Sequence, residues 1–198
     1  MNLLDAMEIH PVTLRNEFVT LEPLTLKHAS DIAEAIDDAV FRYMPMRSSV
    51  RTASEVRRYI EFQSSRPNTI SFAVIDNARA KAVGSTSYMN IRPDHRGLEI
   101  GSTWISAASR GTKINPSMKL LMLEHAFDAC GAIRIELRTD ARNAQSRAAI
   151  EKLGAIYEGT LRAHIIMPDG HLRDTASYSI TKQDWSAIKE SLTNRVLQ

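Results

Sequence analysis

Glu99-Ile-Gly-Ser-Thr-Trp-Ile-Ser-Ala-Ala-Ser-Arg-Gly-Thr-Lys-Ile-Asn-Pro116 is the stretch on which the reading of this chain turns. It runs strand, loop, helix. Glu99 to Ile105 reads as a strand, with Gly101 inside it as a candidate bulge. Pro116 suits the first helical turn, where its missing N–H costs nothing, and Asn115 suits the N-cap. The loop Arg110-Gly111-Thr112-Lys113-Ile114 therefore sits on a helix N-terminus, whose free amides and dipole favour an anion. Gly111 allows close approach to the backbone, Arg110 and Lys113 add charge, and a pyrophosphate is the obvious candidate. An ordinary capped helix behind a basic surface loop would give the same spacing. Neither G-x-x-x-x-G-K-[ST] nor G-x-G-x-x-G occurs in the chain.

Downstream, the helix should run from Pro116 to about Cys130 and stop at Gly131 in the C′ position. Ile133, Ile135 and Leu137 alternate with Arg134, Glu136 and Arg138, the pattern of a strand with one buried face. Asn143-Ala-Gln-Ser146-Arg147 opens the next helix, with Asn143 at the N-cap and Ser146 at N3, and Gly154 ends it. Both residues could serve as caps and nothing more. Two neighbouring parallel strands that each feed a helix open both helix N-termini onto one crevice, however, and that is where ligands bind in such sheets.

The rest of the chain supplies the frame. Phe18 to Leu24 is a short strand, and Thr25 caps a helix carrying Leu26, Ala29, Ile32, Ala33 and Ile36. Thr52-Ala-Ser-Glu55 is a capping box, followed by the apolar stripe Val56, Tyr59, Ile60. Ile70 to Ile75 and Val83 to Ile91 are strands, the second reversed at Arg92–Gly97. Ile156 to Met167 and Leu172 to Thr181 flank the turn Pro168-Asp-Gly170, and a last helix starts at Asp184. The order implies a mixed α/β sheet with helices on its faces.

Composition fits this frame. The chain has 198 residues, 43% hydrophobic and 24% charged, as in ordinary globular proteins. Residues 1–198 are expected to form one domain, with 1–12 a loose arm. A net charge of +2 provides no whole-molecule field for nucleic acid or an anionic membrane. The excess of arginine over lysine suits bidentate contacts to phosphate or carboxylate. The single cysteine, Cys130, excludes an internal disulfide, and the start of the chain shows no secretory pattern, so the expected compartment is the cytoplasm. The six histidines form no i, i+4 pair, so no metal is expected. Cys130 lies beside Ala126, Phe127 and Ala129, as a small buried thiol would, which argues against a covalent intermediate on it.

Strand–Arg-Gly-Thr-x-Ile-Asn–helix, Arg138-Thr-Asp140, Asn143-x-x-Ser146-Arg147, Lys152-Leu-Gly154-Ala and Glu158-Gly-Thr-Leu-Arg162, in this order from Phe18 to Trp185, resemble the GNAT acetyltransferases. Within them the chain is similar to the RimJ/RimL branch, named for N-terminal acetylation of ribosomal proteins. The resemblance implies a GNAT-like, mostly antiparallel sheet of about seven strands, splayed between the Glu99–Ile105 and Ile133–Thr139 strands. Acetyl-CoA would lie in the opening, its pantetheine arm along Trp104, Ile105 and Ser106. Its pyrophosphate would lie on Arg110 to Ile114, with Asn115, Asn143 and Arg147 completing the cofactor set.

Two departures from the family stand out. Ala108 and Lys113 replace the outer residues of the usual phosphate loop, with Lys113 able to recover affinity by reaching a phosphate. Ile150 stands where many members carry a tyrosine as general acid, and Ser146 is the substitute implied by the branch. The implied reaction is direct acetyl transfer to an amine, either a protein N-terminus or a small molecule. Glu99 acts as base through a water, and an amide near Ile105 stabilises the oxyanion. A solvated edge-strand carboxylate remains an equal reading of Glu99, with Glu158 and His164 as reserve bases. A catalytically weak acyl-CoA sensor on the same fold is the alternative function. Acceptor pockets in this fold are built from early loops, here including Arg42 to Arg51, and family analogy allows a homodimer.

Overall fold

The computed structural model describes residues 6–37, 39–46 and 52–198, so Arg47 to Arg51 of the expected acceptor loop and the first five residues of the expected arm lie outside it. Eight strands form one sheet: β1 (Leu14–Arg15), β2 (Val19–Pro23), β3 (Ile70–Asp76), β4 (Lys81–Arg92), β5 (Gly97–Ile105), β6 (Arg134–Asp140), β7 (Ile156–Ile166) and β8 (Leu172–Thr181). Their order is β1-β2-β3-β4-β5-β6-β8-β7. Every pairing is antiparallel except β5 with β6, where a helical crossover forces the strands parallel. The two-residue β1 is the strand the sequence does not announce. Among the described residues five α-helices cover the sheet: α1 (Ala29–Ala35), α2 (Ala53–Ser65), α3 (Ile114–Glu124), α4 (Ala144–Leu153) and α5 (Trp185–Leu197).

Strand alternation sorts the core into two layers. Phe72, Val74, Tyr88, Leu98, Ile100, Ile135 and Tyr178 point to one face and pack with α3, α4 and α5. Ala73, Ala82 and Trp104 point to the other and pack with Ile32, Val56, Tyr59 and Ile60 of α1 and α2. On the first face Trp185 stacks on Phe127, with centroids 5.3 Å apart, and donates its indole N–H to Asp128.

Local signals place most ends. The Thr52 hydroxyl accepts from the Glu55 amide at 3.3 Å while the Glu55 carboxylate accepts from the Thr52 amide at 2.9 Å, the expected capping box. Asn143 Oδ1 accepts from the Ser146 amide at 3.0 Å, and Gly154 closes α4 at φ +98°. Three expectations need correction. The helix after Thr25 divides into a 3-10 turn over Leu26–His28 and then α1, because the His28 ring caps the Thr25 amide. The helix expected to reach Cys130 gives way at His125–Ala129 to one π-helical turn, beside the Met122 carbonyl that accepts from the Tyr88 hydroxyl. Asn115 is not the N-cap of α3. Lys113 holds that place, one step after Thr112, whose hydroxyl donates to Ser109 O and accepts from the Ile114 amide.

Candidate active site

β5 and β6 share only three rungs, Gly97↔Arg134, Leu98↔Ile135 and Glu99↔Glu136, and then diverge. The strands of a continuous ladder lie about 4.8 Å apart, so the side chains and backbone edges beyond the last rung face an opening. That opening is a cavity of about 750 Å³, lined from both strands and from α3 and α4. The β5 side of it is shaped by a bulge: Gly101 pairs with Ser87 and Trp104 with Ser85, so β5 carries an extra residue, and Ser102 takes φ +48°. The expected bulge at Gly101 is therefore present, with its left-handed residue one place on.

Glu99 stands at the closed end of the wedge, only 6% exposed. Its Oε2 accepts from the Asn90 amide at 2.8 Å and lies 3.9 Å from Arg138 Nε. Burial pushes its pKa up, against the opposing pull of the Arg138 charge and the Asn90 hydrogen bond. Its parallel neighbour Glu136 is also buried, but the Arg92 hydrogen bond and the charges of Arg138, Arg92 and Arg134 outweigh burial and hold its pKa down. Two adjacent carboxylates with pKa values pushed apart leave Glu99 the one suited to take a proton. The reserve base Glu158 is committed to Arg134 and the Ser179 hydroxyl, at 2.8 Å each. His164 does line the cavity, its Nδ1 3.1 Å from the Thr175 hydroxyl.

The Ser106 amide donates to Val83 O at 2.8 Å, toward β4, so strand alternation turns the Ile105 amide the other way, to the open side. Of the expected backbone contacts at Trp104 to Ser106, Ile105 alone faces the cavity with its amide. Trp104 contributes a wall, its indole N–H donating to Tyr59 Oη at 2.8 Å.

At the far end, Gly111 lines the cavity at φ +74°, and a Cβ placed there would meet nothing within 4 Å. The left-handed backbone and the open space before it make a cradle at the N-terminus of α3 that suits a phosphate group. Arg110, Asn115, Asn143 and Ser146 line the same cavity. Ser106, Thr112, Lys113, Ile114 and Arg147 do not. Lys113 turns its ammonium over the Phe18 ring, 4.8 Å from the centroid, so its charge serves a cation–π contact on the body of the fold. Arg147 donates to Tyr178 Oη at 3.0 Å. Ile150 lines the cavity one helical turn beyond Ser146 on α4, which puts a hydrocarbon at the place of the family's acid. Replacing Gly111 by valine adds a β-branched side chain to a left-handed position and fills the cradle, and should weaken CoA binding at least about tenfold by calorimetry. Unchanged affinity would take the loop out of the site.

Lys119 and Arg173 are the residues that the sequence leaves unmarked. Lys119, on α3, is 9% exposed, lines the cavity and donates to the Thr103 hydroxyl at 3.3 Å; burial pushes its pKa down to about 8. Arg173, on β8, is 6% exposed, and burial lowers its pKa also. The 3.6-residue period along α3 and the alternation along β8 mark their faces, but only the splay shows that those faces border a cavity. Cys130 is buried, its thiol pushed up in pKa by desolvation.

A family model described as the acetyltransferase (GNAT) domain matches residues 19–156. A GCN5-related N-acetyltransferase from Brucella melitensis superposes with a TM-score of 0.92 at 27% identity, over 98% of this chain and 89% of that one. A Bacillus subtilis (strain 168) protein whose name, ribosomal N-acetyltransferase YdaF, is itself provisional is 25% identical over 88% of this chain and 97% of its own. RimJ of Mycobacterium smegmatis, solved in complex with CoA-disulfide, shares the fold with a TM-score of 0.77 at 21% identity, over 94% of this chain and 97% of its own. With the family's sequence pattern matched from β2 to the start of β7 and the splayed sheet in place, the chain belongs to the GNAT acetyltransferases and is an acyltransferase.

Proposed function

We propose that the protein transfers an acetyl group from acetyl-CoA directly to an amine, a protein N-terminus or a small molecule. The observation that carries this reading is the placement of Glu99, a buried carboxylate at the apex of the wedge, below an Ile105 amide turned to the same opening. The named relative from B. subtilis lends a ribosomal-protein N-terminus support as acceptor. The cradle at Gly111 and the cavity at the α3 and α4 N-termini fit CoA, which when bound supplies an activated thioester.

The chain's own residues then have separable tasks. Glu99 takes the proton of the incoming ammonium, directly or through a water. An α-amino group, with a pKa of about 7.7–8.0, needs only modest help, and a lysine at about 10.4 needs more. The Ile105 amide donates to the oxygen on which charge collects as the amine attacks. Ser146 presents its hydroxyl to the departing sulfur side of the cavity, where Ile150 can offer no proton. Ser146→Ala should therefore lower kcat by about tenfold or more while leaving the CoA dissociation constant within about twofold. Equal kcat would reduce Ser146 to a member of the α4 first turn.

The reading is tested by thermal melts with acetyl-CoA, CoA and ATP, followed by an acetyl-transfer screen over amines and peptides. Ligand at about a hundred times its dissociation constant stabilises by about 2.7 kcal/mol, a shift of several degrees. A rise with both CoA species but not ATP, with transfer to an amine, is expected. A rise without transfer to any amine would favour an acyl-CoA sensor, the reading that Ile150 supports. No rise would remove the cofactor.

A further inference from the structure

The cavity wall is electrically one-sided. Among the described residues it carries seven lysine or arginine side chains and one carboxylate, Glu99. Arg110 stands beside the α3 cradle, Lys119 is on α3, and Arg195 donates to Lys152 O at the end of α4. The others belong elsewhere. Leu137 and Tyr178 pack with α3, α4 and α5, so alternation turns Arg138, Arg173 and Thr175 to the opposite face, the one that α2 and the Ala39–Met46 segment cover. These arginines do not share a face with the helix N-termini that would hold phosphates.

Two of their donors are idle. The Nε–H groups of Arg138 and Arg173 are buried and have no hydrogen-bond acceptor among the described residues. Arg138 has Glu136 as its close partner, its terminal nitrogen 2.6 Å from Oε2. Arg173 has only the Tyr43 carbonyl, at 3.2 Å from its NH1, and no described carboxylate within ion-pair distance. Asp140, the acid nearest in the sheet, is already held by Arg142 through both oxygens, at 3.0 and 2.7 Å. Arg173 is only 6% exposed and stands in the wall of a cavity, and among the described residues no carboxylate lies within ion-pair distance of it, Asp140 and Glu99 acting on it only at longer range; that is an incomplete arrangement, because buried charges are otherwise paired. A carboxylate would complete it in the fork geometry that arginine favours.

Resting on the acetyl-transfer reading above, we propose that the acceptor is an amine with a carboxylate close by, held at Arg173 while the amine meets Glu99. An α-amino acid and a peptide with an acidic residue next to its N-terminus both present this chemistry. Polyamines, aminoglycosides and lysine-rich N-termini are disfavoured by the same charges.

Two matched series test it. CoA-loaded protein is titrated by calorimetry with glutamate and glutamate diamide, and with peptides beginning Ala-Asp-Glu, Ala-Asn-Gln and Ala-Lys-Arg; transfer from acetyl-CoA to the same compounds is assayed separately. The carboxylate members should bind, and react in kcat/KM, about tenfold or more better than their amide counterparts. Whether the free amino acid or the acidic peptide leads decides the source. Arg173→Gln should abolish that preference through KM, bringing the carboxylate compounds down to the level of their amide counterparts, with Arg173→Lys retaining part of it. If Arg173→Gln does not fold, the wild-type series and Arg173→Lys still decide. Equal binding of amide and carboxylate members, or equal loss for both in Arg173→Gln, would overturn the proposal. Preferential carboxylate binding without any transfer would uphold the carboxylate site at Arg173 and defeat the acetyl-transfer reading instead.

Discussion

Glu99→Gln should reduce acetyl transfer by about 10²- to 10⁴-fold, the range spanned by a positioned general base, with little change in CoA affinity. The loss should depend on pH in a defined direction. Burial raises the Glu99 pKa above the ordinary carboxylate value, so the wild type gains its base as pH rises through that raised value. Above it, and below the pKa of the amine, the acceptor is mostly ammonium and the base matters most, so the ratio of wild type to variant should peak there. The ratio should narrow on both sides, as Glu99 protonates in acid and as the amine deprotonates in alkali. Loss of fold would not imitate this. A carboxyl pKa raised by the fold means that the folded state binds more protons than the unfolded one, so ionised Glu99 costs stability at neutral pH. The neutral amide should leave the melting temperature unchanged or higher. A flat pH ratio would return Glu99 to the status of a buried structural acid.

Lys119→Met should raise stability by about 3 kcal/mol at pH 7, read by urea denaturation. Among the described residues the Lys119 ammonium has one partner, the neutral Thr103 hydroxyl, and burial lowers its pKa from 10.5 to about 8. The unfolded chain therefore binds the proton more tightly. Stability rises with pH between about 8 and 10.5, and the full cost is present below 8, at roughly 1.4 kcal/mol for each pKa unit. Methionine keeps the length of the stem, fills the same space and carries no charge. The gain should shrink toward zero as the pH approaches 10.5. No gain at pH 7 would mean that the ammonium is better solvated than its 9% exposure implies.

How far the sequence discloses all this depends on the range of the interaction. Capping is local, so Thr52, Asn143 and Gly154 mark their helix ends in the chain itself. Alternation is nearly as local, and the strands from Ile70, Arg134 and Leu172 are found where the pattern puts them. Where two capping side chains compete within four residues, as Thr112 and Asn115 do, the pattern does not choose; the bond from the Thr112 hydroxyl back to the Ser109 carbonyl does. The candidate site is legible at Gly111, Arg138, Asn143 and Ser146, because family motifs fall on them, and at Glu99 through its place on the strand that enters the loop. It is not legible in Lys119 and Arg173. Their roles arise only where β5 and β6 part after Glu99↔Glu136, a long-range event with no signature in either strand. The departure at Lys113 is also a matter of tertiary reach, since the aromatic ring that receives its charge lies on the segment before β2.

The positions of the two tryptophans give the protein a built-in optical gauge. Trp104 forms a wall of the cavity, tied to Tyr59, whereas Trp185 lies stacked on Phe127 and takes no part in the lining. With only these two indoles in the chain, a change in emission as the wedge fills is assignable to one of them. A Trp185→Phe background would isolate that signal, so that occupancy of the opening could be followed in real time without a label.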